Sequence, residues 1–140
     1  MPFTFTPSNV LSSNLVPKFG IAVEAIDAGL FIFKDADFSS KLRKATNATE
    51  AAADVVGFSI ASAAAGQPLA YVDFGTITAQ AGAFTGLDEP LVLDVGGKAQ
   101  TVAEFLLEAS PAYLTILGWI VSSTQFKLHL ATTGELRQPA

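Results

Sequence analysis

The chain has no cysteine and a single histidine, His129. Without thiols there is no disulfide, no thiolate nucleophile and no zinc–thiolate site, so stability has to come from packing or from assembly. One imidazole excludes a multi-histidine metal centre and leaves a single candidate base. Charge is also scarce: 15% of the 140 residues carry one while 50% are hydrophobic. That ratio argues against intrinsic disorder and implies apolar surface left over for partners. The formal net charge of -5, from 8 basic and 13 acidic residues, provides no excess of cations to displace the counterions of a phosphate backbone, and nucleic acid is not an expected ligand. The longest apolar run, residues 113–121, is interrupted by Thr115 and Gly118 and is too short to span a bilayer as a helix. The opening "MPFTFTPSNV" has neither the basic start nor the continuous apolar core of a secretion signal. The expectation is a soluble chain made in the cytosol, with no membrane partner.

What the chain does contain is β-forming sequence punctuated by turns. Residues 1–18 hold Pro2, Pro7 and Pro17 among Thr, Ser and Asn, with Lys18 as the only charge, a composition that favours extended backbone over helix. This reads as an N-terminal arm on a single β domain spanning 19–140. The arm nevertheless carries Phe3, Phe5, Val10, Leu11, Leu15 and Val16, and Phe3 and Phe5 alternate with threonines at the two-residue period of a strand. Either the arm docks on a partner, or it folds back as a strand on its own domain.

In the body, Asp27-Ala28-Gly29 separates two β-rich stretches and suggests a hairpin. "SSKLRKATNATEAAAD" suits a strand and a loop, and its alanines around Ala51 suit one helical turn equally well. "LAYVDFGTITAQ" places Leu69, Tyr71 and Asp73 on one face and Ala70, Val72 and Phe74 on the other; neither is purely polar, which makes residues 69–74 a candidate oligomer contact. Gly96-Gly97 in "EPLVLDVGGKAQTV" predicts a two-residue primed turn with both glycines at positive φ. "TVAEFLLEA" is the one helix candidate, capped by Thr101 with Glu104 in its first turn. In "QFKLHLAT", Phe126, Leu128 and Leu130 alternate with Lys127, His129 and Ala131, which predicts the last strand of a closing hairpin and puts His129 beside Lys127 on the solvent or interface face. An internal echo joins "VVGFSIAS" to "ILGWIVSS", with Gly57 and Gly118 in matching places, where a strand glycine marks a bulge or a close approach of another backbone. The sum is an all-β fold, a small β-barrel or β-sandwich with an extended N-terminal arm and at most one short helix.

Reactive constellations are sparse. "GFSIA" around Ser59 lacks the second glycine and following helix of a nucleophile elbow. Asp27, Asp35 and Asp37 lack the spacing and terminal glutamate of a calcium loop and read as turn residues. Asp88-Glu89 reads as a polar loop. Gly75, Gly82 and Gly86 lack the spacing of a nucleotide fingerprint, and Asn47-Ala48-Thr49 is a glycosylation sequon of the kind that arises by chance. No catalytic role, cofactor or metal is expected. A cluster of exposed aromatics near Trp119 and Tyr113 is the feature that would instead suit a tail- or fibre-type module recognising glycans or a receptor.

The order of pieces resembles a known family. Val55-Val56-Gly57 with Gly66, then "GTIT" from Gly75, then a hairpin from Leu93 to the Gly-Gly-Lys ending at Lys98, then Leu117-Gly118 with Ser122 and Thr124, is similar to the head-decoration, or cement, proteins of tailed bacteriophages. The likeness covers about residues 21–130 and rests on turn glycines and apolar spacing; "VAEFLLEA" has no counterpart in it. The resemblance implies a compact barrel or sandwich that sits on the outer surface of the capsid, bridges capsomers by binding the major capsid protein, and assembles as a homo-oligomer, a trimer in preference to a dimer. It further implies an arm that attaches through Phe3, Phe5, Val10, Leu11, Leu15 and Val16, for example by adding a strand to a sheet edge.

Overall fold

A computed structural model describes residues 16–79 and 89–138 together with the backbone of Leu11 and Ser12. Two antiparallel sheets face each other. The first contains β1 (Leu11–Ser12), β7 (Phe74–Thr78), β11 (Gln125–Arg137), β10 (Ala112–Ile120), β8 (Pro90–Leu93) and β9 (Ala99–Thr101), in that spatial order. The second runs β2 (Lys18–Ile21), β6 (Pro68–Val72), β5 (Gly57–Ser59), β3 (Phe31–Asp35) and β4 (Lys41–Lys44). The fold is an all-β sandwich with one short helix, α1 (Val102–Leu106), as the composition and periodicity predict. The smaller sheet curls until a single parallel bridge, Ala22 to Leu42, links its two edges without a continuous ladder, which gives that half a barrel-like shape.

The stretch read as one strand through residues 69–74 changes sheet at Asp73. Its first part is β6 in the small sheet and its second part is β7 in the large one. Leu11–Ser12 and Lys18–Ile21 pair with it in a common register. Leu11 faces Thr78 and Lys18 faces Tyr71, a step of seven residues in each strand, and Lys18 Nζ meets Asp73 Oδ2 at 2.6 Å at the crossover. That bond holds the Lys18 ammonium above its ordinary pKa.

Between the sheets lies the main core. Phe31 and Phe58 from the small sheet meet Phe126 from the large one, with ring centroids 4.9 Å (Phe31–Phe58) and 5.4 Å (Phe58–Phe126) apart and the second pair edge to face. All three rings are fully buried, and burial of each contributes about 2–3 kcal/mol plus the geometric preference of the aromatic contact. The small sheet buries its other face as well: Ile32, Leu42, Leu69 and Tyr71 pack against Ala22, Ile26 and Ala63 of the loops folded over it. A third, smaller cluster forms where Phe105 of α1 covers Val92 and Ala112 on the outer face of the large sheet. The helix starts as predicted, with the Thr101 hydroxyl accepting from Glu104 N–H and the Glu104 carboxylate accepting from Thr101 N–H.

Three local expectations change, and a fourth is resolved. No hairpin forms at residues 27–29, because β2 pairs with β6 and β3 with β4 and β5; the intervening chain is instead pinned by Ile26–Ala63 bonds and by Ser59. The Gly-Gly turn is not a two-residue primed turn. Only Gly97 has positive φ, at 79°, and the loop is closed by Asp94 N–H to the Lys98 carbonyl, with the Asp94 carboxylate accepting from Gly96 and Lys98 N–H. Both proposals for the alanine-rich segment hold in part, since strand β4 is followed by one helical turn in which Ala53 N–H donates to Thr49. In residues 69–74, Leu69, Tyr71 and Val72 are consumed by the chain's own cores, so Phe74 is the large apolar side chain that remains for an outside contact.

Candidate attachment surface

Of the arm residues, Phe3, Phe5, Val10 and Leu15 lie outside the described residues. Leu11 pairs through its backbone with Thr78 of β7, which is the fold-back alternative realised over two residues. Val16 projects into solvent, 77% exposed, and the adjoining Phe19 is 69% exposed. The root of the arm thus presents two large apolar side chains that its own domain does not cover.

The residues with reactive potential are placed apart and mostly committed. Ser59 is fully buried on β5; its hydroxyl donates to the Asp27 carbonyl at 2.8 Å and accepts from Leu30 N–H at 3.0 Å. His129 is exposed on β11, in the other sheet. Asp35 caps a short 3₁₀ turn, Ala36–Phe38, and pairs with Arg43 at 2.9 Å, and Asp37 is exposed within that turn. The Glu89 carbonyl accepts from Ile120 N–H, and Asp88 lies outside the described residues. Among the described residues no group of three or more His, Cys, Asp or Glu side chains gathers as a metal cage. Asn47 is 2% exposed, and its amide donates to the Leu93 carbonyl and to the Glu108 carboxylate, so the sequon nitrogen is blocked in the fold.

Glu108 also accepts from Gln100 Nε2 at 2.6 Å, so its carboxylate ties three elements together: the loop after β4, strand β9 and the segment after α1. Asp94 sits close to this network. Burial raises its pKa above the usual carboxylate value; its bonds from Lys98 and Gly96 oppose the shift, and Glu108 adds repulsion. Both carboxylates are engaged in holding loops.

The open part of the molecule is the outer face of the large sheet. Helix α1 covers the corner over Val92, while Phe74, Ile116, Trp119, Lys127 and His129 on β7, β10 and β11 are exposed and Thr76 and Thr78 are half-buried. Phe74, 64% exposed, stands opposite His129, and the His129 ring lies 5.9 Å from that of Trp119, 38% exposed. Lys127 stands between Trp119 on one neighbouring strand and Thr76 on the other. Strict alternation would send Ile116 and Trp119 to opposite faces. The register of β10 with both neighbours shifts between Ile116 and Gly118, so two consecutive buried residues, Leu117 and Gly118, separate two exposed ones. Gly118 is at φ 147°, and a Cβ there would overlap the Lys127 carbonyl oxygen. The close approach inferred from the glycine echo is therefore present, and it delivers Trp119 to the surface. Gly57, its counterpart, also marks a close approach, with a Cβ overlapping the Tyr71 ring and lying 2.9 Å from the Val72 carbonyl.

Trp119 and Tyr113 do not share a groove. Tyr113 packs against the core between the sheets, while Trp119 points outward. Sequence periodicity identified Lys127 and His129 as outward residues but missed their aromatic flanks. Phe74 follows a sheet change, and Trp119 follows a register shift, so simple alternation fails at both. No family model and no curated protein sequence matches this chain.

Proposed function

We propose that this protein is a structural component of a phage virion that binds the outer surface of the capsid, contacts the major capsid protein and stabilises the shell by bridging capsomers. On this reading it is made in the host cytoplasm and acts as a homo-oligomer, with a trimer favoured over a dimer. The observation that carries the reading is the arm root: an N-terminal segment whose only charge in twenty residues is Lys18 enters the fold along β7 and β6 and leaves Val16 and Phe19 uncovered. Exposed apolar side chains on a nearly uncharged strand suit burial against another protein. Many weak copies on one shell act together, and a ligand of the assembled shell alone stabilises it by mass action. The motif resemblance to decoration proteins supports the same role. The tail- or fibre-type alternative rested on an aromatic groove at Trp119 and Tyr113, and those two rings face opposite ways.

The test is co-sedimentation with heads that lack the protein, taken from the phage that carries its gene. Three chains are compared: the full chain, a chain lacking residues 1–10, which retains β1, and Val16→Ser/Phe19→Ser. The full chain is expected to pellet with heads and both variants to lose most binding. Absence of binding by the full chain contradicts the function, and equal binding by all three contradicts attachment through the arm.

A further inference from the structure

We propose that the exposed outer face of β7, β11 and β10 is a second attachment surface, distinct from the arm, and that its occupant is the outer surface of the capsid shell. The inference rests on the function proposed above and names the face that function uses. The first argument is charge. The chain carries 13 acidic residues, yet none falls in β7, in β8, in β10 or in β11 before Glu135. The nearest acid along β7, Asp73, is neutralised by Lys18. Lys127 and the His129 imidazole are the polar centre of the face, ringed by Phe74, Trp119 and Ile116. On a chain of net charge -5 this is a strand face with aromatic, aliphatic and hydroxyl side chains around a cation, complementary to a protein surface that offers apolar side chains around a carboxylate. The second argument is position. The arm pairs with β7 through Leu11 and Ser12, and β7 is the strand that carries Phe74. That pairing joins the arm to an edge of the sheet that carries this face, so arm and face can act together on one shell. Aromatic residues grouped around a desolvated charge are the side chains that dominate such interfaces.

The experiment measures binding of the full-length protein to the same heads, with Phe74→Ser/Trp119→Ser as one variant and Lys127→Glu as another. These positions are exposed, so the fold is expected to survive, and circular dichroism with thermal melting checks that it does. Light scattering of each chain reports its oligomeric state. The expected result is a loss of about tenfold or more in affinity for each variant, with the oligomeric state unchanged. Wild-type binding with undiminished binding by both variants overturns the face while leaving the capsid role intact; failure of the wild type to bind overturns the capsid role itself. Loss of the oligomer in both variants would assign the face to a second copy of the chain and overturn the choice of occupant.

Discussion

The two sheets are built from similar sequence and are used differently. The small sheet is buried on both faces, on one side by Phe31 and Phe58 against the large sheet and on the other by Ile32, Leu42, Leu69 and Tyr71 beneath its own loops. Among the described residues, the large sheet buries one face and covers a corner of the other with α1. In β3, β5 and β6 of the small sheet an apolar side chain therefore reports packing, and the exception is the edge strand β2, where Phe19 is exposed. In the large sheet the same kind of residue, Phe74 or Trp119, reports surface available to a partner.

The contrast predicts a hierarchy of mutational effects. The largest is expected for Phe58→Ala, which removes the ring that touches both Phe31 and Phe126. A loss of about 4 kcal/mol is expected, measured by urea denaturation. A single cooperative transition that simply moves to lower urea supports one shared core, whereas a biphasic curve would mean that the sheets unfold separately. Next come the paired glycines. Gly118→Ala must abandon φ 147° and clear the Lys127 backbone, while Gly57→Ala meets the buried Tyr71 ring and the Val72 carbonyl without a positive φ to abandon. The first is expected to cost about 3 kcal/mol and the second less. Because Trp119 is the only tryptophan, its emission will shift in Gly118→Ala and stay near wild type in Gly57→Ala; the reverse would detach the register shift from the exposed face.

Smaller effects probe the cover of the large sheet and the loops beside it. Thr101→Ala breaks the helix cap and is expected to cost about 1 kcal/mol, with faster amide exchange at Val92 where Phe105 lies over it. Asp94 carries the finest prediction. Its folded pKa is raised by burial, so its ionisation opposes folding: its contribution to stability is fully present below the unfolded carboxylate value and is lost as pH rises through the folded one. Asp94→Asn is therefore expected to melt above wild type at neutral pH, with the difference shrinking as pH falls into the carboxylate range. A difference that grows with acid would contradict burial as the cause.

Much of this was legible in the sequence where one residue type fixes one geometry. The Thr101–Glu104 cap, the alternation from Phe126 to Leu130 and the close approaches at Gly57 and Gly118 follow from local chemistry. Features that depend on chain partners far away did not. The sheet change at Asp73 is invisible in an unbroken β pattern, and the absence of a hairpin at residues 27–29 follows from β2 choosing β6, some fifty residues on. The Gly-Gly turn was misread because the Asp94 side chain supplies bonds that a two-residue turn would have taken from the backbone. The grouping of Phe74, Trp119 and His129 was missed for the same reason, since they meet only through strand pairing across three elements.

The most direct test is an electron cryomicroscopy map of heads with and without the protein. The account predicts added density on the outside of the shell, with the large sheet's Phe74–Trp119 face and the arm root turned toward the capsid. Density that instead turns β3 and β4 toward the shell, or heads that gain no density, would contradict it.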